Sequence, residues 1–332
     1  MPDYTGAGDK MNTYPVGYTI LNTNDLSRGR PVIIDTWYPA TLTARETPHD
    51  YGLGRGHVAE RALSADGDLR PVIVLSHGAF GSARDYSWIG EYLAGNGYIV
   101  AGVSHFKESP VYGPETIDPA SALQPWLRPQ DCTFALDYLL GQSEFRQIAD
   151  SSRIGALGHS SGGATAIALG GAVFDPVAMQ QYCRSDTTDS DRGCGYARGA
   201  EPARPGENVV CNVCHDKRIR AIVALDPALG PGHNAASLSS VSVPVHIIGA
   251  VQNDFLPFEH HAGRYASLIP GASLTRLDHG EGHFIFLDVC HTAAEANTVA
   301  LCKDRPGIHR AEVHRRLMGI LRSFFSKHLT VS

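Results

Sequence analysis

Short runs of branched apolar residues alternate with helical patterns along this chain. Seven of these runs are predicted to be strands, because Val, Ile and Leu follow one another almost without a polar break, as in strands covered on both faces. They are PVIIDTWYP, PVIVLSHG, YIVAGVSH, RIGALGHS, IRAIVALD, VPVHIIGA and SLTRLDHG. The alternation of strand and helix predicts parallel βαβ units and therefore an α/β fold with a mostly parallel sheet.

Four further segments have helical character. SWIGEYLAGNG ends on glycine, PQDCTFALDYLL begins with proline, and SGGATAIALGGAV follows a tight turn. The last predicted helix carries one apolar stripe, which is made by Val313, Leu317, Ile320, Leu321 and Phe324. Because no linker or repeat divides the chain, we predict one domain over residues 1–332.

One stretch, from about Phe174 to Lys217, interrupts the alternation. It contains four cysteines, several glycines and prolines, and few large apolar side chains. A loop of this length inside a compact domain is usually functional or tied down. We therefore predict a cross-linked cap insertion at about residues 174–217, between a helix and the next strand.

Composition excludes several classes of protein. Of the 332 residues, 43% are apolar and 19% are charged, which is enough for a large core and argues against a disordered chain. The net charge is −6 and basic residues form no block, so we expect neither nucleic acid nor an acidic membrane surface as a partner. No apolar run has the length of a membrane span. The pattern makes no prediction about oligomeric state.

Six of the seven cysteines lie in polar, turn-rich stretches and fall in neighbouring pairs: Cys183, Cys194, Cys211, Cys214, Cys290 and Cys302. We predict that they form disulfides between neighbours, although other pairings remain open. Cys132 differs, because it shares a helical face with Ala135, Leu136 and Leu139, and we predict a buried thiol. Disulfides persist in oxidising compartments, so we expect a secreted or periplasmic protein whose signal peptide has been removed.

The segment from Cys211 to His215 also fits C-x-x-C-H, the attachment signal of a c-type haem, and the four cap cysteines could instead hold zinc. A haem needs an apolar pocket, whereas these residues have charged neighbours and lie in an insertion. We therefore favour disulfides over both alternatives and expect no cofactor and no metal.

Gly158, Ser160 and Gly162 form a G-x-S-x-G pattern between a predicted strand and a predicted helix. In that context the pattern is typical of a sharp turn that exposes a nucleophilic serine. The strained backbone leaves no room for side chains at the flanking glycines, and the start of the helix points its positive dipole end at the site. We predict Ser160 as the nucleophile; the alternative is a glycine-rich turn with an incidental serine.

A nucleophilic serine needs a base and a carboxylate that orients the base. His283 follows the last predicted strand, and we prefer it to His279 because Gly282 gives it a tight turn. Asp254 follows the predicted strand VPVHIIGA, and Asp226 ends the predicted strand IRAIVALD. Both carboxylates would lie at the carboxyl edge of the sheet, where ligands bind in such folds. We predict Asp254 as the acid and keep Asp226 as the alternative.

Acyl transfer also requires backbone N–H donors for the oxyanion of the transition state. One donor should be Ser161, the residue after the nucleophile. We place the other at Ala79, in the turn after PVIVLSHG, where Gly78 and Gly81 allow close approach of the backbone. The alternative is an ordinary turn at the end of a strand.

Longer segments carry a family resemblance. LSHGAFGSARDYSWIGEYLAGNGYIVAGVSH, GHSSGGATAIAL and IVALDPALGP resemble the plasma-type platelet-activating-factor acetylhydrolases and the bacterial predicted dienelactone hydrolases that group with them. DTWYPA and RPQDCTFALDYLL look like the bacterial branch, and GHSSGG with GAVQNDFLP and GEGHF is similar to cutinase-like polyester hydrolases. The resemblance covers most of Arg30 to His328 apart from the cap. It implies an α/β-hydrolase fold, with a mostly parallel sheet flanked by helices, and hydrolysis of carboxylic esters.

The chain departs from these families at three points. True dienelactone hydrolases carry a cysteine where this chain has Ser160. The acetylhydrolase pattern places the acid at Asp226, whereas the cutinase-like pattern places it at Asp254, so the resemblance leaves the acid open. The cysteine-rich cap belongs to neither pattern.

We therefore expect a serine esterase that works through an acyl-enzyme and loses activity at acid pH as His283 is protonated. An amidase or peptidase would use the same triad, and a lipase or polyester hydrolase is a further alternative. A binding protein on an inactive scaffold is disfavoured because every triad position is filled. Because the cap is rich in charge, we expect soluble short-chain or polar esters to be preferred over emulsified fat.

Overall fold

The computed structural model describes residues 12–65, 67–185, 190–196, 214–291 and 299–330. Cys211 and residues 186–189 and 197–213 of the predicted cap lie outside this part of the chain.

The strands of the described chain form one sheet in the order β10-β9-β8-β7-β5-β6-β2-β1-β4-β3. They are β1 (Val16–Asp25), β2 (Arg30–Pro39), β3 (Thr47–Asp50), β4 (Arg55–Glu60), β5 (Arg70–Ser76), β6 (Ile99–Ser104), β7 (Ala149–His159), β8 (Ile219–Leu225), β9 (Val245–Ala250) and β10 (Ser273–Leu277). The strands from β5 to β10 are all parallel, while β2 runs antiparallel to both β6 and β1. This confirms the mostly parallel sheet that the apolar runs predicted.

The helices of the described chain are α1 (Ser87–Gly95), α2 (Leu127–Gly141), α3 (Ser161–Leu169), α4 (Pro176–Cys183), α5 (Ala235–Ser239), α6 (Ala262–Leu268) and α7 (Arg310–His328). Four of them correspond to the predicted helices, with small shifts at the ends. Helix α3 ends four residues earlier than the apolar run does, since Gly171 adopts a left-handed φ of 109° just beyond it.

The sheet is covered on both faces. Helices α2, α3, α5 and α6 contribute to one apolar core, and α1 and α7 contribute to the other. The predicted stripe of α7 buries Val313, Leu317 and Leu321, but Phe325 rather than Phe324 is fully buried in its last turns. Cys132 is a free, buried thiol on α2, as its helical spacing predicted.

Two of the predicted disulfides are present between sequence neighbours, Cys183 with Cys194 and Cys290 with Cys302. Cys214 is also disulfide-bonded. Its sulfur is therefore not available as a haem thioether or as a zinc thiolate.

Within the described ranges, no helix combines the length and the apolar character that crossing a bilayer requires.

Candidate active site

Ser160 sits on a strained turn at the centre of the sheet. Strand β7 ends at His159 and α3 begins at Ser161, and Ser160 between them has φ 56° and ψ −120°, a conformation that costs energy for a residue with a side chain. A Cβ on Gly158 would overlap the carbonyl of Gly162, and a Cβ on Gly162 would overlap the carbonyl of Ser76. Both glycines of the motif are therefore required by contacts between backbone segments.

His283 faces this serine. Nε2 of its ring lies 3.0 Å from Oγ of Ser160, and the residue is buried at the start of a short turn that follows β10. The ring of Phe255 stacks on the imidazole with a centroid separation of 5.0 Å and an interplanar angle of 11°. This stacking limits the rotation of the imidazole away from the serine.

Asp226 holds the other nitrogen of the imidazole. Its Oδ2 lies 2.6 Å from Nδ1 of His283, directly after the end of β8. The same carboxylate accepts hydrogen bonds from the backbone N–H of Ala250, at 3.1 Å, and from the side-chain amide of Asn253. Three donors from different segments thus fix the orientation of the carboxylate.

The preference for Asp254 as the partner of the ring is corrected by this geometry. Oδ1 of Asp254 instead accepts a hydrogen bond from the backbone N–H of His283, at 3.0 Å. The loop after β9 turns so that Asn253 contacts Asp226, Asp254 contacts the backbone of the histidine, and Phe255 covers its ring. Both candidate carboxylates therefore serve the same histidine, one through the ring and the other through the main chain.

The two residues predicted to form an oxyanion hole border the same cavity as Ser160. Ser161 opens α3, and Ala79 lies in the turn that follows β5. In that turn the N–H of Gly78 donates to the hydroxyl of Tyr86 at 3.0 Å, and the carbonyl of Gly78 accepts from the N–H of Gly81 at 3.3 Å. The structure thus brings both predicted backbone segments to the cavity that Ser160 borders.

Two buried side chains that the motifs did not single out connect this turn to the histidine. The hydroxyl of Tyr86 lies 2.8 Å from Nδ1 of His159, and Nε2 of His159 lies 2.9 Å from the carbonyl oxygen of His283. Burial holds the pKa of His159 well below its usual range, so the ring is neutral. Its Nε2–H donates to the carbonyl, and its Nδ1 accepts from Tyr86. The position of His159 within G-x-S-x-G is a signal in the sequence that places it next to Ser160. Tyr86 belongs to no motif, so the sequence gives no such signal for it.

The cavity at Ser160 has a volume of about 300 Å³ and a largely apolar lining. The predicted cap supplies part of this lining through Met179 on α4 and through Gly193 and Tyr196. Leu301, which lies between Cys290 and Cys302, also borders the cavity. The two described disulfides thus belong to segments that form its wall.

The short turn at residues 191–196 of the predicted cap is attached to the segment after β9 that contacts His283. The backbone N–H of Arg192 donates to the carbonyl of Phe255 at 2.9 Å, and the buried carboxylate of Asp191 lies 2.8 Å from Nε2 of His261. The Cys183–Cys194 disulfide adds a covalent link to α4. The part of the cap that lines the cavity is therefore fixed at three points.

The described residues contain no group of three or more His, Cys, Asp or Glu side chains arranged to hold a metal ion.

The fold, a mostly parallel sheet with helices on both faces, is that of an α/β hydrolase. A protein-family model described as Chlorophyllase matches residues 64–180, which include β5 to α3 and the serine motif. Among solved structures, a ferulic acid esterase from Streptomyces cinnamoneus has a similar fold, with a TM-score of 0.67 over 97% of this chain and 92% of that one, at 23% sequence identity.

Curated relatives are ester hydrolases. The chain is 33% identical to a bis(hydroxyethyl) terephthalate hydrolase of Streptomyces coelicolor over 34% of its own length and 32% of the relative. It is 32% identical to cutinase 2 of Thermobifida cellulosilytica over 29% and 33% of the two chains, and 29% identical to a platelet-activating factor acetylhydrolase of Cavia porcellus over 30% and 32%. The chain thus spans about a third of the length of the curated relatives it matches. These similarities confirm the resemblance to acetylhydrolases and cutinases that the sequence motifs carried.

Proposed function

We propose that this protein hydrolyses carboxylic esters with Ser160 as the nucleophile, His283 as the general base and acid, and Asp226 as the carboxylate that orients the base. The observation that carries the proposal is the continuous pair of contacts from Oγ of Ser160 to Nε2 of His283, at 3.0 Å, and from Nδ1 to Asp226, at 2.6 Å. This is the geometry by which a neutral imidazole removes the proton of a serine.

In the acylation step Oγ of Ser160 bonds to the ester carbonyl carbon while Nε2 of His283 takes the hydroxyl proton. The tetrahedral intermediate then collapses, and His283 passes this proton to the oxygen of the leaving alcohol. Water, activated by the same histidine, attacks the acyl-enzyme and releases the acid. Asp226 keeps Nδ1–H directed away from the serine and stabilises the imidazolium in both steps.

We propose the backbone N–H groups of Ser161 and Ala79 as the oxyanion donors. Ser161 is the first residue of α3, and N–H groups in the first turn of a helix have no partner within the helix. The dipole of α3 adds to the stabilisation of negative charge at this end. Both residues border the cavity that contains Oγ of Ser160.

The size of the cavity favours small substrates. A volume of about 300 Å³ is at the lower end of the range for small-molecule sites. We therefore propose soluble esters with short acyl chains, in keeping with the charged cap sequence. Peptide amides and long-chain or polymeric esters are the competing substrate classes in the test below. We further propose a secreted or periplasmic location, because disulfides persist in oxidising compartments.

Hydrolysis of p-nitrophenyl acetate, butyrate and decanoate, and of a matched p-nitroanilide, tests the proposal. We expect turnover of the two short esters, a fall with decanoate and little turnover of the anilide. Ser160→Ala should lower kcat by about 10⁴-fold or more, whereas Ser239→Ala, an exposed serine at the end of α5, should behave as the wild type. Ester turnover that persists in Ser160→Ala would refute the mechanism, and faster turnover of decanoate or of the anilide would overturn the substrate class.

A further inference from the structure

A buried arginine contacts the turn that follows β5. Arg128, in the first turn of α2, is 1% exposed, and its Nη1 donates to the carbonyl of His77 at 2.6 Å. Its Nη2 lies 3.4 Å from the carbonyl oxygen of Gly78. The catalytic steps proposed above do not use this charge. A buried charge is costly unless it is paired and hydrogen-bonded, so the partners of this guanidinium indicate its role.

Glu108 compensates the charge of Arg128. The carboxylate accepts from Nε at 2.9 Å and from Nη2 at 2.5 Å, and both side chains are almost fully buried. This two-point contact fixes the plane of the guanidinium. The remaining N–H groups on Nη1 and Nη2 are thereby directed at the carbonyls of His77 and Gly78.

The direction of the Gly78 carbonyl determines the direction of the next N–H. The carbonyl of Gly78 and the N–H of Ala79 belong to one trans peptide unit, so they point in opposite directions. Because the carbonyl faces Arg128, the N–H of Ala79 faces the other side of the turn. Gly78, Ala79 and Ser160 all border the cavity.

His77 supports the same peptide. Its Nδ1 donates to the carbonyl of Gly78 at 2.6 Å, and its Nε2 accepts the backbone N–H of His105 at 3.0 Å. Burial and the charge of Arg128 hold the pKa of His77 well below its usual range, so one nitrogen remains an acceptor. The carbonyl of Gly78 therefore receives hydrogen bonds from both side chains.

The turn itself is strained and depends on such support. The N–H of Gly81 closes it on the carbonyl of Gly78, and Phe80, its third residue, has a left-handed φ of 58°. A bulky residue adopts this conformation only where its surroundings impose it. A turn of this kind would otherwise relax by rotating its peptide planes.

We propose that Arg128 is a positioning residue for the oxyanion hole: its guanidinium fixes the plane of the Gly78–Ala79 peptide so that the N–H of Ala79 points to the developing oxyanion. This inference rests on the proposed esterase function. The N–H acts on charge that exists only in the transition state, so loss of Arg128 lowers kcat and leaves KM nearly unchanged.

The choice of variants separates positioning from folding. Arg128→Met alone leaves Glu108 buried without a partner, so the main variant is the double substitution Arg128→Met with Glu108→Leu, which replaces a buried ion pair by apolar side chains of similar volume. Arg128→Lys keeps the charge but loses the planar fork, and it provides a second variant if the double one does not fold. Arg153→Met is the matched control, since Arg153 on β7 pairs with Asp150 and donates to the carbonyl of Leu69, just before β5, and contacts neither His77 nor Gly78 in the described contacts.

The experiment measures kcat and KM for p-nitrophenyl acetate and the inhibition constant of an alkyl trifluoromethyl ketone, whose adduct with Ser160 carries an oxyanion. Loss of one oxyanion donor costs about 10²- to 10³-fold in kcat, and a misdirected donor costs less. We expect kcat of the double variant to fall about 10- to 100-fold with KM within about twofold, and the inhibition constant to rise by the same factor. Arg128→Lys should be intermediate, and Arg153→Met should match the wild type.

A double variant with wild-type thermal unfolding and wild-type kcat would overturn the inference. A reduced kcat without weaker binding of the ketone would also overturn it, because it would place the effect outside the oxyanion hole. Ser160→Ala in the same series distinguishes this result from failure of the proposed function. Activity that persists in Ser160→Ala removes the esterase mechanism and the inference together, whereas an inactive Ser160→Ala beside a fully active double variant removes the inference alone.

Discussion

Oδ2 of Asp226 lies 2.6 Å from Nδ1 of His283, the ring nitrogen that does not face Ser160. Asp226→Asn should therefore favour the wrong tautomer of the imidazole and lower kcat for p-nitrophenyl acetate by about 10³- to 10⁴-fold. The substitution is nearly isosteric, so the far-ultraviolet circular dichroism spectrum should remain that of the wild type.

Asp254→Asn is the matched control for this carboxylate. Asp254 contacts the backbone N–H of His283, and an asparagine side-chain oxygen can still accept that hydrogen bond. We expect kcat to fall less than about tenfold, far short of the loss expected for Asp226→Asn. If Asp254→Asn were the more damaging of the two, Asp254 rather than Asp226 would orient the base.

Gly162→Ala should prevent stable folding. The added Cβ would overlap the carbonyl of Ser76 on β5, and backbone cannot move aside as a flexible side chain does. We expect a loss of about 3 kcal/mol or more in the free energy of unfolding, measured by urea denaturation, or no soluble protein.

Gly319→Ala is the opposite case at another glycine. Gly319 is exposed in the middle of α7 and a Cβ there would meet open space. Alanine should therefore stabilise the protein by about 1 kcal/mol, because it restricts the unfolded chain and favours the helix. If Gly162→Ala and Gly319→Ala changed the free energy of unfolding equally, the overlap of a Cβ at residue 162 with the Ser76 carbonyl would not explain the glycine there.

His314 should make the stability of the protein depend on pH. Its ring stacks on Trp88 and its Nε2 donates to the carbonyl of Ile285 at 2.8 Å, and burial lowers its pKa to about 3. Below about pH 6.5 the imidazole of His314 is protonated in the unfolded chain and stays neutral in the folded protein. The free energy of unfolding therefore falls as the pH falls. Between about pH 6 and 5, His314→Gln should make this decline shallower by about 1 kcal/mol per pH unit.

Urea denaturation across this pH range tests that prediction. His309→Gln, an exposed histidine immediately before α7, should leave the slope as it is in the wild type. An identical slope in His314→Gln and the wild type would show that the buried ring is protonated in the folded protein.

Removal of the Cys183–Cys194 disulfide should weaken substrate binding as well as folding. The bridge closes a short loop, with a sequence separation of 11, so Cys183→Ser with Cys194→Ser should cost about 2–3 kcal/mol of stability. Because Gly193 and Tyr196 line the cavity, KM for short esters should rise more than kcat falls.

Cys132→Ala tests whether that effect is specific. This residue is a buried thiol on α2, and alanine should cost stability through lost packing while KM stays near the wild-type value. Equal KM values in the disulfide variant and the wild type would show that the bridge does not shape the cavity.

The strands next to the active site could be predicted because their burial on both faces leaves long apolar runs. Strand β1, by contrast, alternates buried and exposed positions, and β3 is largely exposed, so neither produces such a run. Ser160 was predictable because its turn imposes glycines at fixed spacing. The sequence therefore indicated the centre of the sheet more reliably than its edge.

The choice of acid could not be predicted, because Asp226 and Asp254 follow strands that are neighbours in the sheet and both contact His283. Only the path of the loop after β9 decides which carboxylate reaches the ring. The burial of Arg128 could not be predicted either, since an arginine in the first turn of a helix is ordinarily exposed. Its function depends on Glu108 and on a turn from a different βαβ unit.

The hydrogen bonds that run from the N–H of Gly78 through Tyr86 and His159 to the carbonyl of His283 connect four residues that border the cavity. The separation between Gly78 and His283 is thus bridged by hydrogen bonds between protein atoms. None of these four residues belongs to the cap, so a change in the cap sequence would alter one wall of the cavity and leave the spacing between Gly78 and His283 as it is.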